Sequence, residues 1–413
     1  MNKIQLIPLM ILIVLSYQSF AQEKQEEDTT RTRFVQKLKM DPADTAKLDT
    51  TKVVTAEYSQ ETKGAQFQVR FKGFVKLNTF YDFEGMRSTE GFNPFDIVQD
   101  SALNRQLQGF YIGARQSRIG FESSIITPIG LIETYIEGDF AGDNTGFAFR
   151  LRHAYGKVQY FTIGQTWSTF TDLESIPLTV DKDGPNSGTF VRQGLIRFEK
   201  KFKENAEFGV SIENPLKDFF NPFDSSGVDF QRDGDFIGRL KMRHRKGHIQ
   251  FAAVSRLISF TNVFGNKDFK GGFGAMISGT HAIYEKGKFL YNGLGGKGIS
   301  RYIGGLEGKG QDAYPNAEGS FDLIPVIAAT FAYEQLWTDQ LVSTIIFGFT
   351  NLFTTESQPD EQFDNNQYIS VNTFYNILSN LQIGFEFSWG DRQNKDGNTQ
   401  DASRLQLMAK FDF

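Results

Sequence analysis

The sequence predicts an all-β fold, a transmembrane antiparallel β-barrel of about sixteen strands with short turns at one end and long loops at the other. Three observations carry this prediction. The last residues, Arg404 to Phe413, alternate strictly. Leu405, Leu407, Ala409, Phe411 and Phe413 share one face, and Arg404, Gln406, Lys410 and Asp412 share the other, with only Met408 breaking its polarity. About fifteen further segments repeat this rhythm from residue 66 onward, and their connections are tight and long by turns. Lipid tolerates no open sheet edge, so an even number of such strands closes into a barrel with both termini at the short-turn end.

The two ends of the chain agree on an address. Lys3 precedes an apolar run from Ile4 to Val14, and Ser19-Phe20-Ala21 supplies a small-x-small cleavage site, so residues 1–21 read as a secretory signal peptide. A membrane-anchoring helix needs about 20 apolar residues, whereas this run contains Pro8 and gives way to Ser16, Gln18 and Ser19. At the other end, a terminal strand closing on Phe413 resembles the closing-strand signal of bacterial outer-membrane barrels. That resemblance implies the outer membrane of a Gram-negative cell, with its lipid and its barrel-assembly machinery as partners.

Residues 22–65 are polar and charged, with Pro42 in their middle and no sustained apolar period. They predict a disordered periplasmic extension, with Phe34, Val35 and Leu38 leaving room for one amphipathic turn. Residues 66–413 form one domain, since no shift of composition divides them. A mean hydropathy of −0.36 looks soluble, but alternation hides the apolar half of a barrel strand from any average. The 42 Phe, 14 Tyr and 40 Gly fit strands, membrane interfaces and the bends of a curved sheet. A net charge of −5 without basic runs excludes a nucleic-acid partner.

Taken in order, the first segment, 66–82, sets Phe67, Val69, Phe71, Val75, Leu77 and Tyr81 against Gln68, Arg70, Lys72, Lys76 and Asn78. Further strands are predicted near 112–126, 130–140, 147–156, 157–170, 189–203, 206–214, 235–246, 248–262, 272–286, 288–304, 320–337, 341–353, 366–378, 381–392 and 401–413. Thr127-Pro128, Lys203-Glu204-Asn205, Lys246-Gly247, Thr338-Asp339 and Ser379-Asn380 read as periplasmic turns. The stretches 84–111, 171–188, 215–234, 305–319 and 354–365 read as extracellular loops. A soluble sandwich or β-helix is the competing architecture, and it does not explain a polar face on nearly every strand.

The predicted inward faces are rich in bases. Arg239, Lys241, Arg243 and Arg245 form a cationic row opposite Phe236, Leu240 and Met242. Arg150 and Arg152 repeat the pattern, Arg70, Lys72 and Lys76 make a third column, and Arg118 and Arg256 stand alone. Acids are present at Glu122, Glu133, Glu137 and Asp139, and the 171–188 connection adds Asp172, Glu174, Asp181 and Asp183. Folded into the lumen, that loop would face its carboxylates to a basic wall and set a transverse field across a constriction. Two readings stand for each of these residues: a lattice of ion pairs that stiffens the wall, or a field that concentrates small anions.

Catalytic signals are poor. His153, His244, His248 and His281 show no metal-ligand spacing, and His153 and His244 fall on predicted outward faces. No Gly-x-Ser-x-Gly elbow or P-loop is present, and Asp391, Asp396, Asn398 and Asp401 lack the spacing of a calcium hand. The sequence therefore predicts no enzyme, cofactor or metal.

Several motifs occur in order between residues 73 and 198: Gly73-Phe-Val-Lys-Leu77, Ala114-Arg-Gln-Ser-Arg-Ile-Gly120, Glu137-Gly-Asp-Phe140, Leu151-Arg-His-Ala-Tyr-Gly156 and Gly164-Gln-Thr-Trp-Ser-Thr-Phe170. Arg192-Gln193 and Ile196-Arg197 continue them, with weaker echoes at Gly298-Ile-Ser-Arg-Tyr302. Together they resemble the DcaP-like trimeric outer-membrane porins. The resemblance implies a sixteen-stranded homotrimeric porin with an inward third loop and a basic constriction favouring small anions such as dicarboxylates. It extends the basic role to Arg118, Arg150 and Arg152. The chain departs from that family in showing no heptads within 22–65 and in a more acidic third-loop segment ending in Asp181-Lys-Asp-Gly-Pro185. The expectation is passive diffusion of small hydrophilic solutes through a water-filled lumen. A barrel lipid hydrolase and a surface receptor or adhesin without conductance are the alternatives.

Overall fold

The computed structural model describes residues 57–62, 65–86, 90–142, 148–222 and 231–413. The signal peptide and the extension up to residue 56 lie outside them. Eighteen strand segments belong to one antiparallel sheet. Sixteen staves remain when the flanking strand Glu57–Thr62 is set aside and Gly109–Gly113 is joined to Arg118–Thr127, two pieces that pair with successive halves of Ala65–Glu84. The sheet closes where Ala65–Glu84 pairs with the terminal strand Thr399–Asp412.

Alternation along the strands sorts the two faces as expected. On the terminal strand Leu407 and Phe411 are exposed on the outside, while Arg404, Gln406 and Met408 are buried within. Outward Phe and Ile recur on every side, among them Phe121, Ile163, Phe236, Phe273, Ile345 and Phe385. The turns Pro128-Ile129, Gln159-Tyr160, Glu204-Asn205 and Arg245-Lys246 crowd one end, and the long loops 168–191, 214–234 and 298–324 crowd the other.

The seam is tight. Gly73 and Phe413 exchange backbone hydrogen bonds of 3.0 and 3.2 Å, and the Phe413 ring stacks on Phe71 with centroids 5.4 Å apart. A Cβ at Gly73 would stand 2.4 Å from the Arg118 carbonyl oxygen and 2.7 Å from the Phe413 ring. Gly73→Val is therefore expected to destabilise the closed barrel by roughly 1–3 kcal/mol, seen as a lower urea midpoint in the mobility shift of the unheated protein. Below Phe413 the first strand runs on, and Glu57–Thr62 pairs with its residues 65–70. The six residues Glu57–Thr62 thus cover an edge that the closing strand leaves bare.

Several expectations are corrected by the structure. The 112–126 strand is broken by a turn at 114–117, and 288–304 stops at Lys297 because residues from Gly298 onward fold inward, beginning with a 3₁₀ turn at Ser300–Tyr302. The 320–337 strand begins at Pro325, and Phe321–Leu323 pairs instead with Ala313–Pro315. Arg245 lies in a turn, so the cationic row ends at Arg243. A register shift opposite Glu137 and Gly138 turns both Arg152 and His153 inward, which overturns the outward assignment of His153.

The largest departure concerns the lumen. Inward faces were expected to be polar on nearly every strand, yet Ile237, Val254, Met276, Leu294, Val326, Ala328 and Leu352 point inward and are buried. They pack against Phe170 of loop 168–191 and against Ile299, Tyr302, Ile303 and Leu306 of loop 298–324. One half of the barrel is thus filled by an apolar core, with each fully buried Leu- or Ile-sized side chain contributing roughly 1.5–3 kcal/mol. A polar clamp fastens the plug: Arg256 forms an ion pair with Asp235 at 3.0 Å and donates to Asp312 at 2.6 Å, while Tyr302 donates to Asp235 at 2.7 Å. The other half of the lumen stays open.

Candidate functional site

The open half is bounded by the strands from Ala65–Glu84 to Asp235–His244 and by the inner edges of loops 168–191 and 298–324. The two loops are joined to each other and to the first long loop. Gly304 and Gly305 donate to the carbonyls of Gly188 and Asn186 at 2.8 Å, Asn93 donates to Gly305 O at 2.9 Å, and Asn186 to Phe92 O at 3.0 Å. The inner rim is therefore one hydrogen-bonded plate built from three loops.

Two cavities follow one another along this half. The first, about 340 Å³, lies between the plate and the wall. It is lined by six cations, Lys76, Arg118, Arg150, Arg152, Lys182 and Arg192, and four acids, Asp139, Asp181, Asp183 and Glu307. The second, about 630 Å³, opens toward the short-turn end and is lined by Arg118, Lys157, Arg197, Arg239, Lys241 and Arg243 against Glu137, Glu174, Glu199 and Glu207. Arg118 and Trp167 belong to both linings and mark the neck between them.

Most of these charges are already answered. Arg150 holds Asp139 through a fork of 3.0 and 2.7 Å, and Arg152 bridges Asp139 at 2.8 Å and Glu137 at 3.2 Å. Arg118 lies 3.5 Å from Glu137, with its guanidinium over the Phe74 ring. Lys76 is buried and donates to neutral acceptors, Gln116 Oε1 at 2.7 Å and the Val180 carbonyl at 2.8 Å. Among the described residues, Arg192 has no carboxylate partner; its guanidinium lies 4.6 Å from the centroid of Trp167, its register partner across the strand pair. Glu307 and Asp183 face the same cavity without an ion pair among the described residues.

The row Arg239, Lys241 and Arg243 is not a free ladder. Neighbouring strands and the inward loop supply its acids, because Asp235 on its own strand is engaged by Arg256, Arg301 and Tyr302. Arg239 pairs with Glu199 and Glu207, Lys241 with Asp172 at 2.8 Å and Glu174 at 3.1 Å, and Arg243 with Glu174 at 2.6 Å. Arg70 and Lys72 sit at the short-turn rim, outside both cavities, with Lys72 paired to Glu122.

The four acids of loop 168–191 divide into two pairs. Asp181 and Asp183 line the first cavity, and Asp181 also accepts from Phe92 N and Gln406 Nε2, each at 2.7 Å. Asp172 and Glu174 instead fasten the loop to the wall. Asp172 is fully buried and accepts from Lys241 Nζ at 2.8 Å, His248 Nε2 at 2.7 Å and Ser278 Oγ at 2.8 Å, so three successive strands converge on one carboxylate. Burial alone would raise that carboxyl's pKa, but the hydrogen bonds from His248 and Lys241 and the Lys241 charge hold it well below the usual range. The hydrogen bonds from Arg243 lower Glu174 to about 2.

Sequence reasoning missed Arg192, Trp167, Lys182 and Glu307. Arg192 and Trp167 lie inside quoted motifs, and the alternation of their strands gives out just where both turn inward. Nothing local marks Glu307, because its place depends on a distant loop folding into the barrel. His153 and His248 proved to be lumenal: His153 Nδ1 lies 3.1 Å from Thr166 Oγ1, and His248 is one of the Asp172 donors.

Comparison with known proteins agrees with this architecture. The crystal structure of the outer membrane channel DcaP of Acinetobacter baumannii superposes with a TM-score of 0.71 at 21% identity, covering 86% of this chain and 99% of that one. An anion-selective porin from Comamonas acidovorans gives 0.55 at 12% identity, covering 84% and 100%. Salmonella typhi OmpF in complex with daunomycin gives 0.56 at 9%, covering 84% and 98%. No curated protein matches the chain. A family model described as the DcaP outer membrane protein matches residues 31–413. A match over that span, on a closed sixteen-stranded barrel of porin architecture, shows that the chain belongs to the DcaP outer membrane protein family and is a porin of the Gram-negative outer membrane.

Proposed function

We propose that this porin passes small hydrophilic anions, dicarboxylates among them, by passive diffusion along the open half of its lumen, without a chemical step. One observation carries the proposal: six cations face four acids around the first cavity, and Arg192 has no carboxylate partner among the described residues. A solute carboxylate entering there meets a guanidinium that no carboxylate contacts among the described residues, between low-dielectric walls that focus its field. Asp181, Asp183 and Glu307 across the gap favour solutes that span a basic and an acidic side in one orientation. The ion-paired Arg239, Lys241 and Arg243 would serve mainly to hold the constriction loop, and Arg118, Arg150 and Arg152 to shape the basic wall.

The remaining expectations join the same proposal. Residues 1–21 direct export, 22–65 extend into the periplasm, the barrel-assembly machinery engages the strand ending in Phe413, and the protein works as a homotrimer. In planar bilayers under a salt gradient, the wild-type channel should give a reversal potential of the sign for anion permeation, larger at 0.1 M salt, where the Debye length is about 10 Å, than at 1 M, where it is about 3 Å. A cation-signed or zero potential at low salt would overturn the anion preference while leaving channel function standing.

A further inference from the structure

We propose that the outer wall binds one phospholipid of the periplasmic leaflet in a groove beside Lys200. On this face, most outward residues from Arg192–Lys203 across to Gly247–Thr261 are apolar. Phe198, Val210, Gly238 and Ala253 form one row, and Lys200, Phe208, Leu240 and Phe251 form the next row toward the periplasmic turns. Gly238 and Ala253 carry almost no side chain between large neighbours, and a groove of about 680 Å³ opens over them. Its volume falls within the roughly 300–1,000 Å³ range of ligand sites.

The occupant follows from the order of groups along the membrane normal. Lys200 is the one charged side chain among the outward residues of these two rows, and it has no ion-pair partner among the described residues. Its ammonium lies 5.3 Å from the ring centroid of Tyr160, a half-exposed residue of a periplasmic turn, and so stands at the level of the membrane interface. The apolar trough over Gly238 and Ala253 begins one row deeper, toward the bilayer centre. A cation at the interface followed inward by a greasy trough matches a lipid phosphodiester followed by its acyl chain, in the orientation of the periplasmic leaflet. A phosphate there answers the ammonium, and the chain fills a gap that mobile lipid would otherwise fill poorly.

The test is native mass spectrometry of the protein purified in mild detergent and titrated with phosphatidylglycerol, with diacylglycerol as the phosphate-free arm. A Cβ added at Gly238 or at the outward Gly194 meets nothing within 4 Å, so both positions accept a larger residue without strain. Wild type should hold one phosphatidylglycerol per chain and no diacylglycerol. Lys200→Gln should lower occupancy at least about fivefold, Gly238→Leu should abolish it, and Gly194→Leu, outside the groove, should match wild type. Equal retention by all variants would overturn the proposal. So would a Gly238→Leu protein that changes its number of chains per particle with lipid retention unaltered, since the groove would then be a subunit contact.

Discussion

Asp172→Ala is expected to cost roughly 3–5 kcal/mol of stability, the range for breaking a buried ion pair by removing one partner, and to raise single-channel conductance. Its carboxylate is the point where loop 168–191 meets three strands, and its loss leaves the His248 and Ser278 donors without their acceptor in a buried place. Lys241 retains Glu174, so the wall itself should hold, and the damage should appear as a loop that no longer stays against it. Urea midpoints and conductance histograms measure the two effects. Unchanged conductance with lowered stability would mean that the apolar packing of Phe170 alone fixes the constriction. The pH dependence has a definite sign. Because the folded carboxyl's pKa is depressed, its contribution is fully present above the unfolded value of about 3.9 and disappears as pH falls toward the folded value. The Asp172 anchor should therefore hold through neutrality and loosen only in strong acid, so any conductance change that Asp172→Ala abolishes should be confined to that range.

Arg192→Glu should carry the largest change of selectivity. The substitution moves two units of charge at the cavity, and at about 7 Å one unit is worth roughly 0.6 kcal/mol in water and about 2.4 kcal/mol at an effective dielectric of 20. A shift of the anion-to-cation permeability ratio by at least about threefold toward cations follows, read from reversal potentials at low salt. Arg243→Glu is the informative comparison. Its guanidinium is already matched by Glu174, so its reversal should disturb the loop anchor before it disturbs selectivity. Equal shifts from both variants would place the selecting field in the whole lumen rather than at Arg192.

The barrel was legible because a strand between lipid and water writes its period into a few consecutive residues. Leu405 to Phe413 need no knowledge of the rest of the chain to be read as two faces. What stayed hidden depends on long-range contacts. A bulge beside Gly138 reverses the facing of His153 without any mark in its own alternation. The charges of Arg239, Lys241 and Arg243 look unopposed on their strand, and their acids come from 32 to 69 residues away in the chain. Ile237, Val254 and Met276 sit opposite outward apolar residues, so their strands are greasy on both faces. That pattern belongs to a buried core, and only the inward fold of loop 298–324 explains it.

The apolar plug has a consequence for how such a channel changes over time. The circumference of the sheet is set by strand count and seam, both under the constraint of closing in a membrane. The aperture is set by the three-loop plate and the arc of wall that faces it. Substitutions on that arc and on the rim of the plate can retune what passes while insertion and closure proceed as before. A wide, costly scaffold is thereby separated from a narrow, adjustable opening, and a lineage can exchange one diet of solutes for another without rebuilding the wall.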